Sequence, residues 1–85
     1  MSQAVSIRFE AKKTIGIKQS LKAVQKDLAA EIWIAADVDP QLVEELRTLC
    51  ATKALPVLTA ASKKELGRAC RIRTGAAAVA ILKTV

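Results

Sequence analysis

Ile32-Trp33-Ile34-Ala35-Ala36-Asp37-Val38-Asp39-Pro40 is the stretch on which the fold turns. Its first five residues form a short, continuous apolar run rich in β-formers and closed by Asp37, the pattern of a buried central strand. Asp39-Pro40 then reads as a helix start, with Asp39 as N-cap and Pro40 at the first helical position, where its missing N–H is no loss. Leu42, Val43, Leu46, Leu49 and Cys50 keep one apolar stripe, so this helix is expected to run to about Ala54, before Pro56. Trp33 is expected to serve packing rather than function.

On the N-terminal side, Ile17, Leu21, Val24 and Leu28 recur with helical spacing. They predict a helix over about 17–28, with Lys18, Lys22, Gln25 and Lys26 together along one side. On the C-terminal side, Val57-Leu58-Thr59 reads as a short strand, and Ser62 with Glu65 three residues on forms a capping box for a helix through about Cys70. Gly75 opens an apolar strand through Leu82. Residues 1–11 read either way: Ile7 to Glu10 alternate like a strand, whereas Ala4, Ile7 and Ala11 share a helix face. Strand and helix thus alternate, which predicts an α/β fold with helices covering a small sheet on both faces.

The 85 residues suffice for one domain, 1–85, with 52% apolar and 26% charged residues, a globular composition. Met1 to Glu10 hold no apolar h-region, so no leader is expected, and the run Ala76 to Leu82 falls far short of the roughly 20 residues of a membrane span. A cytoplasmic protein without a membrane partner is expected, with Cys50 and Cys70 as buried thiols in a reducing compartment. There is no His, so neither a Ser-His nor a Cys-His pair can be assembled, and no metal, cofactor, small-molecule substrate or enzymatic activity is expected. No heptad or spare apolar face marks an oligomer, so a monomer is expected.

The net charge is +6 and unevenly spread. Arg8, Lys12, Lys13, Lys18, Lys22 and Lys26 face only Glu10. Asp27, Glu31, Asp37, Asp39, Glu44 and Glu45 then follow without a base, and Lys63, Lys64, Arg68, Arg71 and Arg73 face only Glu65. If the fold joins the two basic blocks and turns the acidic one away, the result is the footprint of a phosphate-backbone binder. If it does not, these are solvated helix faces.

Two segments could carry recognition. Thr14-Ile15-Gly16-Ile17-Lys18-Gln19 leads from a short strand through a glycine into a helix, leaving unpaired N–H groups beside Lys18 and Gln19, a place that attracts phosphate. Gln19 and Lys22 supply directional donors for base edges. By itself such a turn is also a plain helix start. In Arg71-Ile72-Arg73-Thr74-Gly75, two arginines surround an aliphatic residue that is either exposed for a stacking or pocket role or tucked into the core. Aromatic residues are only 2%, against platforms that stack single-stranded bases and in favour of a shaped, folded RNA.

Several segments together resemble the ribosomal-protein superfamily typified by the archaeal large-subunit protein L-seven-Ae and the eukaryotic large-subunit protein L-thirty-e. They are Gly16-Ile17-Lys18-Gln19-Ser20-Leu21-Lys22-Ala23, Ile34-Ala35-Ala36-Asp37-Val38-Asp39-Pro40, Leu49-Cys50, Leu55-Pro56-Val57, Ser62 through Cys70, and Gly75-Ala76-Ala77. Their order and spacing cover nearly the whole chain. The sequence is most similar to the compact bacterial, ribosomal-protein-like branch, since the archaeal pattern has Asn and Glu where Lys18 and Gln19 stand. It also carries Arg71 where bacterial relatives have Gly, and Arg73 and Thr74 for a more usual Glu and Val.

The resemblance implies a three-layer α/β/α sandwich with a small mixed four-stranded sheet, which recognises and stabilises kink-turns, RNA bends built on tandem sheared G·A pairs. By position, Gly16, Ile17, Lys18, Gln19 and Lys22 meet those pairs and the adjacent backbone. Ile72, Arg73 and Thr74 fall in the loop that covers the extruded nucleotide, and Asp39 falls where some members line its pocket. The implied partner is structured RNA, with the ribosome or another ribonucleoprotein as setting. The alternative is a protein-interaction module of the same fold, acting on a ribosomal or other acidic partner.

Overall fold

The computed structural model describes residues 11–83. The elements are β1 (Lys13–Ile15), α1 (Ile17–Gln25), β2 (Ala29–Ala35), α2 (Pro40–Thr52), β3 (Val57–Ala60), α3 (Lys63–Ala69) and β4 (Ala78–Leu82). The four strands form one mixed sheet in the order β1-β4-β2-β3, with β2 parallel to β3 and β4 antiparallel to both its neighbours. This is the expected mixed four-stranded sheet of an α/β/α sandwich. The strand-or-helix alternative for the first eleven residues falls outside the described residues except at Ala11, which is a bend.

Strand alternation sends successive side chains to opposite faces and so builds two cores. On one face Ile32, Ile34, Ala78 and Ala80 meet Ala23 and Val24 of α1 and Val43, Leu46 and Cys50 of α2. On the other, Trp33, Ala35, Ala60 and Val79 meet Leu66 of α3 and Cys70. With both faces covered, β2 is apolar nearly throughout, as its sequence requires. Trp33 is buried, and its Nε1–H donates to Glu31 Oε2 at 2.7 Å, which satisfies the indole donor.

All three helices end in the same way, and none with glycine. Asp27, Ala54 and Arg71 stand in the left-handed region at φ 58°, 56° and 58°. The N–H of the next residue closes each turn: Leu28 onto Ala23 at 2.8 Å, Leu55 onto Cys50 at 2.9 Å and Ile72 onto Gly67 at 3.1 Å. With the inner bonds from Asp27 to Val24, Ala54 to Ala51 and Arg71 to Arg68, these are Schellman motifs. Lys53 Nζ pairs with Asp27 Oδ1 at 2.7 Å, joining the ends of α1 and α2.

Three expectations are corrected. The first helix stops at Gln25 rather than near 28, so Leu28 leaves the stripe and is 51% exposed. Leu42 is 61% exposed, because Val43, Leu46 and Cys50 already occupy the side of α2 that meets the sheet. The last strand starts at Ala78 rather than Gly75. Ala76 N–H donates to Lys63 O, and Ala77 O accepts from Ala35 N–H, so these residues are spent crossing from α3 to the sheet.

Candidate nucleic-acid interface

One end of the sheet gathers the starts of all three helices. β2 and β3 run parallel and deliver their C-terminal ends there, leading into α2 and α3. β1 runs antiparallel to β4, with Ile15 opposite Val79, so α1 starts at the same end. Gly16 N–H donates to Ala78 O at 2.8 Å and fixes the start of α1 against the first residue of β4. Gly16 has φ 118° and ψ 156°, a conformation that belongs to glycine.

The three helix starts differ in their donors. At α2 the Asp39 carboxylate accepts from Gln41 N–H at 3.0 Å. At α3 the Ser62 hydroxyl accepts from Glu65 N–H at 3.0 Å, and Asp37 Oδ1 accepts from Lys63 N–H at 2.8 Å. At α1 the cap is Gly16, no side chain accepts from the first turn, and that turn holds no acid. Its first-turn N–H groups have no side-chain acceptor, the side chains of Lys18 and Gln19 beside them are exposed, and Lys22 is exposed one turn on. An anion is the natural partner of such an arrangement.

Ile17 is half-buried against the α1–α2 core, so its side chain is structural while its N–H belongs to the open turn. Asp39 is exposed and holds its N-cap position. Ile72 is half-buried and packs against the core beneath α3, which favours the tucked reading over free exposure. Its backbone closes the α3 Schellman turn, and the chain then doubles back along α3, with Gly75 lying against Lys63. This carries the exposed Arg73 and Thr74 back toward the end where α3 starts.

The two basic blocks do not share a flat face. α1, with Lys18 and Lys22, packs on one side of the sheet and α3 on the other, while Lys13 of β1 lies on the α3 side with Ile15, near enough to Cys70 to act on it electrostatically. Asp37 was not among the sequence candidates, although it caps α3 from a distant loop. Its signal was an acid closing a strand, which does not say which helix it reaches. Both thiols are buried, and burial pushes their pKa values up, opposite to the direction a nucleophilic cysteine needs. No described helix is long and apolar enough to cross a membrane.

Fold and charge together define a small basic α/β/α sandwich domain with one uncapped helix start at the end where its strands deliver their helices. The chain belongs to the Ribosomal protein L7Ae/L30e/S12e/Gadd45 family, whose sequence profile matches residues 4–85. It is 44% identical over 82 residues to an RNA-binding protein of Bacillus pumilus (strain SAFR-032), covering 96% of this chain and 93% of that one. To RNA-binding protein YbxF of Geobacillus stearothermophilus it is 41% identical over 69 residues, covering 81% and 84%. Among solved structures, the Giardia lamblia 15.5kD RNA binding protein matches with a TM-score of 0.80 and 34% identity over 88% of this chain. The chain spans 62% of that protein, less than two thirds of its length. A Bacillus halodurans protein of unknown function matches at a TM-score of 0.77 with 21% identity, a likeness of fold alone, over 85% of this chain and 72% of that one.

Proposed function

We propose that this protein binds structured RNA without performing chemistry, and that it recognises and stabilises kink-turns. The observation that carries the reading is the uncapped start of α1. Its first-turn N–H groups are free of side-chain acceptors, whereas side-chain oxygens cap the starts of α2 and α3. Relatives called RNA-binding proteins support RNA as the source of the anion. In this reading Gly16, Lys18, Gln19 and Lys22 meet the G·A pairs and their backbone. Ile72 to Thr74 form an edge over the extruded nucleotide, with Ile72 offering the outer part of a half-buried side chain and Arg73 and Thr74 supplying charge and donors.

Stabilisation of the bend follows from differential affinity. RNA exchanges between extended and bent forms, and a protein that binds only the bent form shifts the balance toward it in proportion to that preference. Phosphate contacts supply much of the affinity, and the amide of Gln19 and ammonium of Lys22 supply the selectivity. The test is a titration against one kink-turn RNA and a control whose G·A pairs are replaced by Watson-Crick pairs, each at two salt concentrations. Gln19→Ala or Lys22→Ala is expected to weaken binding to the intact motif and to leave the control nearly unchanged. Equal losses on both RNAs would sink the recognition role and leave a generic basic domain.

A further inference from the structure

We propose that the outer face of α3 is a second RNA-backbone contact, in which Lys64 and Arg68 hold phosphates of one arm of the bent RNA while the start of α1 holds the bend. The inference rests on the kink-turn reading and adds to it a site on the opposite face of the sheet. Lys64 and Arg68 are four residues apart on one helix and therefore neighbours on its surface. Both are exposed, and with Ser62, Glu65 and Ala69 they border a shallow groove. Among the described residues neither is held in an ion pair. Glu65 is the carboxylate at this groove, and it is half-buried, so the groove is positive on balance.

Like charges at this spacing repel and weaken the helix that carries them. α3 has only seven residues, so it has little helix to offset that repulsion. Arg68 suits the last turn of α3, but Lys64 gains no such contact from the helix, and the two cations side by side fit an anionic partner. The layer order supplies the rest of the argument. α1 and α3 lie on opposite faces of one sheet, so the whole sheet stands between them. A straight duplex seated on the start of α1 passes the outer face of α3 by. An RNA that turns sharply around the end of the sheet meets both, so two sites on opposite faces select for the bend itself.

The experiment uses the full chain and a Lys64→Ala/Arg68→Ala double variant, whose fold is checked by circular dichroism. The probes are a kink-turn with two long arms, two kink-turns each with one arm cut back to the motif, and the Watson-Crick control. On the two-armed RNA the variant is expected to bind on the order of ten-fold more weakly at low salt. Its log–log salt slope should be shallower by roughly 1.4–1.8, two phosphate contacts at about 0.7–0.9 each. Cutting one particular arm should abolish the difference between variant and parent. An unchanged slope on the two-armed RNA, with the parent still preferring the motif over the control, overturns this site and leaves the kink-turn reading standing. A difference that persists with either arm cut overturns the assignment to an arm. A parent that fails to distinguish motif from control overturns the kink-turn reading, and this inference with it.

Discussion

The carbonyl oxygen of Thr74 lies directly over Gly67, where a Cβ would overlap it. Gly67 is buried in α3, and its own carbonyl accepts from Ile72 N–H at 3.1 Å. The glycine thus lets the 71–75 loop fold back flat along α3, and it sets the position of Ile72, Arg73 and Thr74 relative to the start of α1.

Gly67→Ala should therefore act on the loop before it acts on the rest of the fold. Overpacking of this kind costs about 1–3 kcal/mol, which for a domain of this size lowers the melting temperature by several degrees. Affinity for a kink-turn should fall as the loop is pushed away, while affinity for plain duplex stays. An unchanged melting curve would show that the loop yields without cost and that Gly67 does not hold it.

Gly16→Ala attacks the other half of the proposed site. At φ 118° a side chain is strained whatever space surrounds it, at about 1–3 kcal/mol. A Cβ would also meet the Gln19 amide, the flexible group assigned to base recognition. Kink-turn binding should drop much more than for a stability-matched variant in the α1–α2 core. Comparable losses in the two would place the effect in global stability, away from the turn.

Ala54→Gly should raise stability. Ala54 is exposed and occupies the left-handed residue of the α2 ending at φ 56°, so glycine relieves the Cβ clash and removes no buried contact. The gain, set against the extra freedom of glycine in the unfolded chain, comes to about 0.5–1 kcal/mol. Urea denaturation followed by circular dichroism reads it directly. A lowered midpoint would mean that the turn is not held in this conformation in solution.

Ser20→Ala is the opposite of an ordinary core truncation. Ser20 is fully buried behind the Gly16 turn, and its Oγ finds no hydrogen-bond partner among the described residues. A buried hydroxyl without a partner carries its desolvation penalty, about 1–3 kcal/mol, and alanine is also the better helix former. Thermal melting of the variant should match or exceed that of the parent. A clear drop would reveal a bonded hydroxyl.

The helix endings show where sequence reading lost precision. A helix C-terminus is legible when glycine marks the left-handed position, and here Asp27, Ala54 and Arg71 fill it. None signals a stop, and the first helix read three residues too long, whereas Pro56 kept the reading of α2 within two residues of its end and α3 ends one residue short of Cys70. Leu28 continues the spacing of Ile17, Leu21 and Val24 but lies two residues past the cap, where the chain has already turned. Leu42 was misplaced for a different reason: a stripe names the side of a helix, not how wide the contact with the sheet will be.

What the sequence determined by itself was local. The apolar run at Ile32, the Asp39-Pro40 start, the Ser62 cap and the Gly16 turn are written in periods and capping residues that act within one or two turns, and the helices start where they were written, while the strand read from Ile32 to Ala36 formed over Ala29–Ala35. Tertiary structure decided everything that joins residues distant in the chain. Pairing Ile15 with Val79 and Ile34 with Ala78 put β4 in the middle of the sheet, and so brought Gly16 to the end where the 71–75 loop returns. The alternation of side chains along those strands sent α1 and α3 to opposite faces, because a pleated strand must offer half of its residues to each layer.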